Sequence, residues 1–580
     1  PIYEEFSYVS AKSIKDVIDQ LDSNYYVKSV KSIFNERFLL SESFIPIPIK
    51  LVSLKSADNF NNSLNNIKNF KSHFISKDLK NLLFVIKCKN LVDEELKIDF
   101  INDLEIKFSN ISRANINVTG QIKSEIYMKQ KILNEIIIFI IFSVLLCSVM
   151  LWYFIRSIKL VFACVSSIIL SICYSFSISN FLFGGIELIM IIIPAIIFII
   201  TISDFMHLLN HKHLTSNKYK LFNYQLLNIG KPVFLTSLTT AIGFLSFTFG
   251  SFEPLMRFGI ITTLSIFICL FIIVTSYALV IDLNLISRVK EKLTIKTLEF
   301  IFKVFDHNKK IVVSFFLFLS VIGIVSINID NFLTDEINPK SELYKEINYF
   351  EKNFGGIKPL SFSLVNSDKS STGDFTEFLA SKKTTTDIVF ERKDTTLVKA
   401  RINDIGAVES KKLYNAINDF TDNYKYDFSI GGVGYLFDQI SNELTYEVLI
   451  GLLLAIVLIG FIFVVINDFN LRYLFVSLIP NLVPMLSCLG VLSFFSFYLS
   501  LSNAFIFAIV FGLIVDDSIH IISAYSINRK SKLSIAQSIK YCYDNTFHAV
   551  IKTTLIIIVT LIPLLFSEFK SISQLAYITM

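Results

Sequence analysis

Charge is scarce in this chain. Asp, Glu, Lys and Arg make up 18% of its 580 residues, against 53% hydrophobic residues that include 57 Phe. With a mean hydropathy of +0.58, that balance excludes an ordinary soluble globular protein. Apolar runs of about 20 residues recur along it, as in multi-span membrane proteins. The net charge of +5 is small for the length, so no nucleic-acid partner is expected. Cysteine is sparse too. Of the seven, Cys88 alone falls in a large polar region, which excludes a disulfide framework, and no metal-type Cys spacing occurs. The polar regions also lack a nucleophile motif, a phosphate loop and a Cys/His cluster, so an enzyme is not expected. An initiator Met is missing as well: the chain runs from Pro1 to Met580 and reads as a fragment.

What is present is a series of spans, near 135–155, 159–180, 187–210, 232–250, 258–281, 311–328, 445–467, 471–497, 501–524 and 547–566. The expected domains are a first extracytoplasmic α/β domain (1–130), a first transmembrane repeat (131–285) and a cytoplasmic linker (286–310). A helix over 311–328 opens the second repeat, followed by a second extracytoplasmic α/β domain (329–443) and a second transmembrane repeat (444–580). Basic residues set the orientation. Lys212, Lys218, Lys220 and Lys231, then Arg288 to Lys310, then Arg529, Lys530, Lys532 and Lys540 mark cytoplasmic loops, whereas 181–185 and 496–502 carry no Lys or Arg. Both polar regions then lie outside, the periplasm of a Gram-negative cell. Within them LLFVIKC (82–88), ANINVTG (114–120), LSFSLVN (360–366) and FSIGGVG (428–434) predict strands. IKDVIDQL (14–21) and KKLYNAINDF (411–420) predict amphipathic helices.

The chain repeats itself. TISDFMHLL (201–209) aligns with IVDDSIHII (514–522), pairing Asp204 with Asp517 and His207 with His520 at one offset of 313 positions. The loop that follows is four residues longer in the second half, after which 231–263 overlays 548–580. The unit is an outer domain plus a helix bundle, used twice, and parallel repeats of this kind are a transporter architecture. The repeat predicts twelve spans in the full protein, two more than the ten here.

GLIVDDSIHIISAY (512–525) sets two acids and an imidazole inside an apolar run. A charge at the centre of a spanning helix costs roughly 2.5–3.5 kcal/mol, so such groups point to function. Spacings of three and four put Asp204 with His207, and Asp516 and Asp517 with His520, on shared helix faces. If the halves pack about a pseudo-twofold axis, these faces meet in the bundle interior, where a carboxyl can load a proton from one side and release it to the other. Asp204, Asp516 and Asp517 are the expected proton relay. His207 and His520 are either partners in it or interfacial side chains. A lone Asp at a helix end can also be a topological marker in the headgroups. An O/N metal-ligand set is the sharper alternative, though no metal is expected. His211 and His213 read as a solvated face. Thr236, Ser237, Thr239 and Thr240 in the fourth span, and Lys552, Thr553 and Thr554 in the tenth, are further polar groups. The hydroxyls either bond their own i−4 carbonyls or join the relay, as Thr240 and Thr553 could. Lys552 is either a counter-ion to Asp516 or Asp517 or a snorkelling side chain. Pro194, Pro480 and Pro484 should kink their spans, and Gly243 and Gly512 serve helix packing.

IPNLVPMLSCLGVLSF (479–494), GLIVDDSIHIISAY (512–525) and TSLTTAIGFLSFTFGSFEPLMRFGIIT (236–262) resemble the resistance–nodulation–division (RND) superfamily, in its MMPL-type exporter branch. Gly512 with Asp516 and Asp517 matches the family's Gly-x-x-x-Asp-Asp pattern. The resemblance implies a polytopic helical membrane protein with two porter-like ferredoxin-type domains, in the inner membrane, exporting hydrophobic or lipid-like molecules against protons. No cofactor is implied beyond the proton as coupling ion. Membrane lipids, a homo-oligomer or a periplasmic accessory protein are the partners it suggests. The first half departs from the pattern, with Ile199 and Ser203 where the second has Gly512 and Asp516, so its site is expected to be weaker. Sterol-sensing and patched-like proteins and the SecD/SecF translocation factors share the bundle. A lipid-sensing or protein-export accessory role is therefore the alternative to transport.

Overall fold

The computed structural model describes residues 7–35, 37–39, 48–50, 52–67, 74–76, 81–89, 93–109, 116–209, 218–283, 307–365, 369–392, 395–424, 427–494, 498–530 and 534–580. The chain divides into two compact units. A polar unit combines Pro1–Lys131 with Phe332–Gln439, and a membrane unit combines Ile132–Asn331 with Ile440–Met580.

In the polar unit, the later segment is built from strands Lys358–Val365, Thr385–Arg392, Thr395–Ile402 and Asp427–Gly431 with helices Lys369–Ser381 and Ala407–Tyr424. The chain order is β-α-β-β-α-β. In space the strands run second, third, first, fourth, all antiparallel between neighbours. That is the ferredoxin-like arrangement. Alternation causes it: in TTLVKARI, Thr396, Val398, Ala400 and Ile402 are buried while the residues between them face outward. Phe375, Leu379, Tyr414 and Ile417 of the two helices close over Leu360, Phe362 and Leu364 as one core. The earlier segment holds helix Tyr8–Asp22, whose N-cap Ser7 accepts from Ser10 N–H, and the antiparallel pair Val27–Lys31/Val85–Cys88. Its core gathers Ile14, Ile18, Val30, Phe60 and Phe100, joined by Phe354.

The predicted strands at 82–88 and 428–434 appear as Val85–Cys88 and Asp427–Gly431, and that at 360–366 as Lys358–Val365, with position 366 outside the described residues; both predicted helices appear longer than predicted, as Tyr8–Asp22 and Ala407–Tyr424. ANINVTG forms no strand over its described residues 116–120. They run instead directly into helix Gln121–Ile155 with Gly120 at φ 131°, a conformation open to glycine.

In the membrane unit nine helices among the described residues are long and apolar enough to cross a bilayer, from Gln121–Ile155 to His548–Phe566. Each falls on a predicted span. The remaining span is helix Lys309–Val325, 17 residues long, at the short end of the spanning range. It packs closely on Arg472–Phe494, where a β-carbon on Gly490 would stand 2.1 Å from the Leu319 carbonyl oxygen. Only glycine admits that approach. Helix Arg472–Phe494 runs unbroken through Pro480 and Pro484. Pro194 lies at a junction, where the tight turn Leu188–Ile192 passes into helix Ile193–Leu209. Proline is tolerated there because a first-turn N–H has no helical partner.

The duplication is visible in local detail. A π-helical stretch precedes the fourth span of each half, Leu226–Gly230 in one and Cys542–Phe547 in the other. Each fourth span also ends in a 3₁₀ turn, at Ser246–Phe249 and Ile562–Phe566. The fourth span of each half packs against the acid-bearing third span of the other, Lys231–Leu245 on Leu501–Lys530 and His548–Leu561 on Ile193–Leu209.

Candidate functional site: the interior of the membrane unit

Helices Ile193–Leu209 and Leu501–Lys530 carry the embedded acids. On the first, every residue from Ile193 to Leu208 is buried, so its polar side chains have nothing but protein around them. Asp204 is 1% exposed and His207 is buried with it. On the second, His520 is buried and Asp516 lies largely inside.

Positions related by the repeat meet one another. Ser203 Oγ donates to Asp516 Oδ2 at 2.6 Å, and these two residues are separated by the repeat offset of 313. The rings of His207 and His520, equivalent in the same way, stack with centroids 3.6 Å apart and planes 12° apart. Contact between equivalents is what a pseudo-twofold axis through this point requires. Asp516 Oδ1 lies 3.3 Å from His520 Nε2, one helical turn along. Asp204, Asp516 and His520 each bring a carboxylate oxygen or ring nitrogen within 4.8 Å of the others. Asp204 Oδ2 is buried with no hydrogen-bond partner among the described residues. A buried polar atom left this way is expensive, and it normally marks a site where something else binds.

The remaining sequence candidates sort plainly. Asp517, the repeat equivalent of Asp204, is partly exposed and makes no hydrogen bond or ion pair among the described residues. The acid that stands by Asp204 is its neighbour Asp516. Thr236, Thr239, Thr553 and Thr554 bond carbonyls three or four residues back on their own helices, the local pattern expected of hydroxyls in apolar helices. Thr240 is the exception: its Oγ1 donates to the Gly512 carbonyl of the other half at 3.1 Å. A β-carbon on Gly512 would meet Thr240 Cγ2 at 3.8 Å, and one on Gly243 would stand 3.7 Å from Gly512 Cα. Those are ordinary contacts, so the two glycines keep the crossing close without being demanded by backbone strain. No ion pair joins Lys552 to Asp516 or Asp517 among the described residues, and Lys552 is half-buried. His211 and His213 lie outside the described residues.

Sequence reasoning missed Ser203 and Asn481. Asn481, between the two prolines, accepts from Ser518 Oγ at 2.8 Å and ties the acid-bearing helix to helix Arg472–Phe494. Ser203 is legible only as a departure from the repeat; its role as donor to Asp516 needs the packing.

The fold has solved relatives. A heavy metal efflux pump matches over 100% of this chain and 84% of its own, at 11% identity and a TM-score of 0.57. SecDF from Thermus thermophilus, a translocon-associated membrane protein, matches over 86% of this chain at 12% identity and a TM-score of 0.52. The chain spans 66% of the length of that SecDF. At such identities the likeness is one of fold. No curated protein matches the chain in sequence. The MMPL family matches residues 10–292 and 362–580, which include both acid-bearing helices. By that match, over most of its length, the chain belongs to the MMPL family.

Proposed function

We propose that this protein is a secondary transporter that moves hydrophobic or lipid-like molecules at the expense of a proton gradient, through the Asp204–Asp516–His520 cluster. One observation carries the reading: ionisable groups from both halves converge, buried, where repeat-equivalent residues touch. A charge so placed needs a counter-charge or a proton. Two carboxylates sharing a small site are better served by holding one proton between them than by both being ionised. Each change in proton occupancy alters the attraction between the halves at the point where these side chains meet, beside the Thr240–Gly512 contact. That coupling is how proton movement would drive the halves between two arrangements. Asp517, next to Asp516 and without a hydrogen bond or ion pair among the described residues, would pass protons to and from the cluster. The basic loops argue for the polar unit on the outer face of a bacterial inner membrane, where lipidic cargo or an accessory protein would meet it. A homo-oligomer is compatible with the same plan.

The fold shared with a translocon-associated protein favours a second reading, assistance of protein export through the same bundle. The two separate in proteoliposomes with an imposed pH gradient and a fluorescent lipid analogue. Lipid movement and proton flux that both stop in Asp204→Asn and Asp516→Asn support lipid transport. Proton flux that stops without any lipid movement in the parent favours the export role. Proton flux unchanged in both variants rules out the relay.

A further inference from the structure

We infer that the Asp204–Asp516–His520 cluster is also a binding site for a divalent cation of the zinc class, which would hold the relay groups and arrest them. The inference rests on the relay reading for its consequence, but not for the site itself. Three features define the site. The donor atoms are two carboxylate oxygens and one imidazole nitrogen, all within 4.8 Å of one another. Asp204 is 1% exposed, and its Oδ2 has no hydrogen-bond partner among the described residues, so a ligand atom stands ready and unused. The Asp516 Oδ1–His520 Nε2 separation is 3.3 Å. Two ligands about 2.0–2.1 Å from one zinc ion at the tetrahedral angle lie about 3.3–3.4 Å apart. One edge of the coordination tetrahedron is therefore already formed, and Asp204 must approach by at most about 1.5 Å to complete a face.

The chemistry of the set selects the ion. Mixed oxygen and imidazole donors without a thiolate suit Zn²⁺, or Co²⁺ in its place, and do not suit Cu(I). Three protein ligands are too few for Ca²⁺, which takes six to eight oxygens. Two carboxylates around a dication leave the site neutral, which removes the electrostatic objection to burial. An outer shell exists as well: Ser203 Oγ, 2.6 Å from Asp516 Oδ2, orients the carboxylate that bridges to His520. An ion so bound occupies both acids at once. It locks together the two halves that the relay needs to move.

The test uses the purified full chain and Co²⁺ as a spectroscopic probe. One equivalent of Co²⁺ with the visible bands of a tetrahedral site, displaced by Zn²⁺, is the expected result. Asp204→Asn, Asp516→Asn and His520→Gln should each weaken binding by more than the roughly 10–100-fold lost with an outer-shell partner, and Ser203→Ala by about that amount. Asp517→Asn should bind as the parent does. His520→Cys guards against simple misfolding, because it should still bind Co²⁺ and add a thiolate-to-metal absorption that a collapsed site cannot give. Absence of tetrahedral Co²⁺ in the parent, or binding unchanged in all three ligand variants, overturns the site. Zn²⁺ that binds yet leaves proton flux unaltered keeps the site and removes the relay.

Discussion

Among the described residues, each unit holds a cluster of buried charge, and the two are finished differently. In the polar unit Lys358 is fully buried and lies 2.8 Å from Asp438 Oδ1 and 3.0 Å from Asp404 Oδ1. Tyr414 donates to Asp438 Oδ2 at 2.6 Å, and the backbone and hydroxyl of Thr334 both donate to Asp404 Oδ2 at 2.9 Å. Every carboxylate oxygen there faces the lysine or a hydrogen-bond donor, Asp404 Oδ1 through its ion pair with Lys358 alone. Burial and the adjacent Asp438 carboxylate hold the Tyr414 phenol above its ordinary 10.0, so it stays a donor. In the membrane unit two carboxylates and two imidazoles meet, and among the described residues no Lys or Arg pairs with Asp204 or Asp516 and Asp204 Oδ2 has no hydrogen-bond partner. Burial is common to both. The counter-charge is what separates them: Lys358 fixes its two carboxylates in one geometry, whereas carboxylates without a cation can take up a proton or a metal ion.

The sharpest way to break this contrast is to neutralise the incomplete cluster. Asp516→Asn and Asp204→Asn should each lower pH-gradient-driven transport by at least about 100-fold, the scale of losing a positioned proton-transfer group. Asp517→Asn should lower it less, and equal losses at Asp516 and Asp517 would erase the distinction between the clustered acid and its neighbour outside the cluster.

Stability should respond in the opposite sense. Lys358→Met leaves Asp404 and Asp438 buried without their cation and should destabilise the protein by about 3–5 kcal/mol in thermal or denaturant unfolding. Asp204→Asn removes a charge whose oxygen has no partner, and its unfolding midpoint should match or exceed the parent's. A midpoint well below the parent's would mean that Asp204 is structural after all.

A smaller effect tests the crossing between the halves. Thr240→Val deletes the hydrogen bond to the Gly512 carbonyl and should cost about 1 kcal/mol. A coupling term between Thr240→Val and Asp516→Asn in a double-mutant cycle would show that the crossing and the cluster act together.

The smallest effect concerns pH. Burial raises the Glu351 carboxyl above its ordinary 4.5. The folded protein then retains a proton that the unfolded chain has already released, so this contribution is full below about 4.5 and fades as pH rises through the folded value. Glu351→Gln can still accept from the Asp404 N–H through its amide oxygen, and it should flatten the fall in unfolding midpoint over that interval. Glu346 is raised by burial in the same sense, so a residual slope should persist until it too is replaced. An unchanged profile in the double variant would remove both groups from the linkage.

Composition and periodicity alone determined that this chain belongs in a bilayer, where its spans lie, and that it is built twice. These properties follow from run length and spacing, and no tertiary contact needs to be known to count them. The embedded acids were equally legible, because a carboxylate has no cheap reason to sit in an apolar run. What the sequence could not decide was which acid faces which. Alignment pairs Asp204 with Asp517, yet the acid beside Asp204 is Asp516, whose carboxylate is met by Ser203 across the axis. The reason is rotational. Neighbouring residues on a helix point about 100° apart. A turn of that order about the helix axis decides between Asp516 and Asp517, and the rotation is set by packing against the other half. Lys358 stayed hidden for a related reason: its partners Asp404 and Asp438 lie on distant segments that only the folded sheet brings to it.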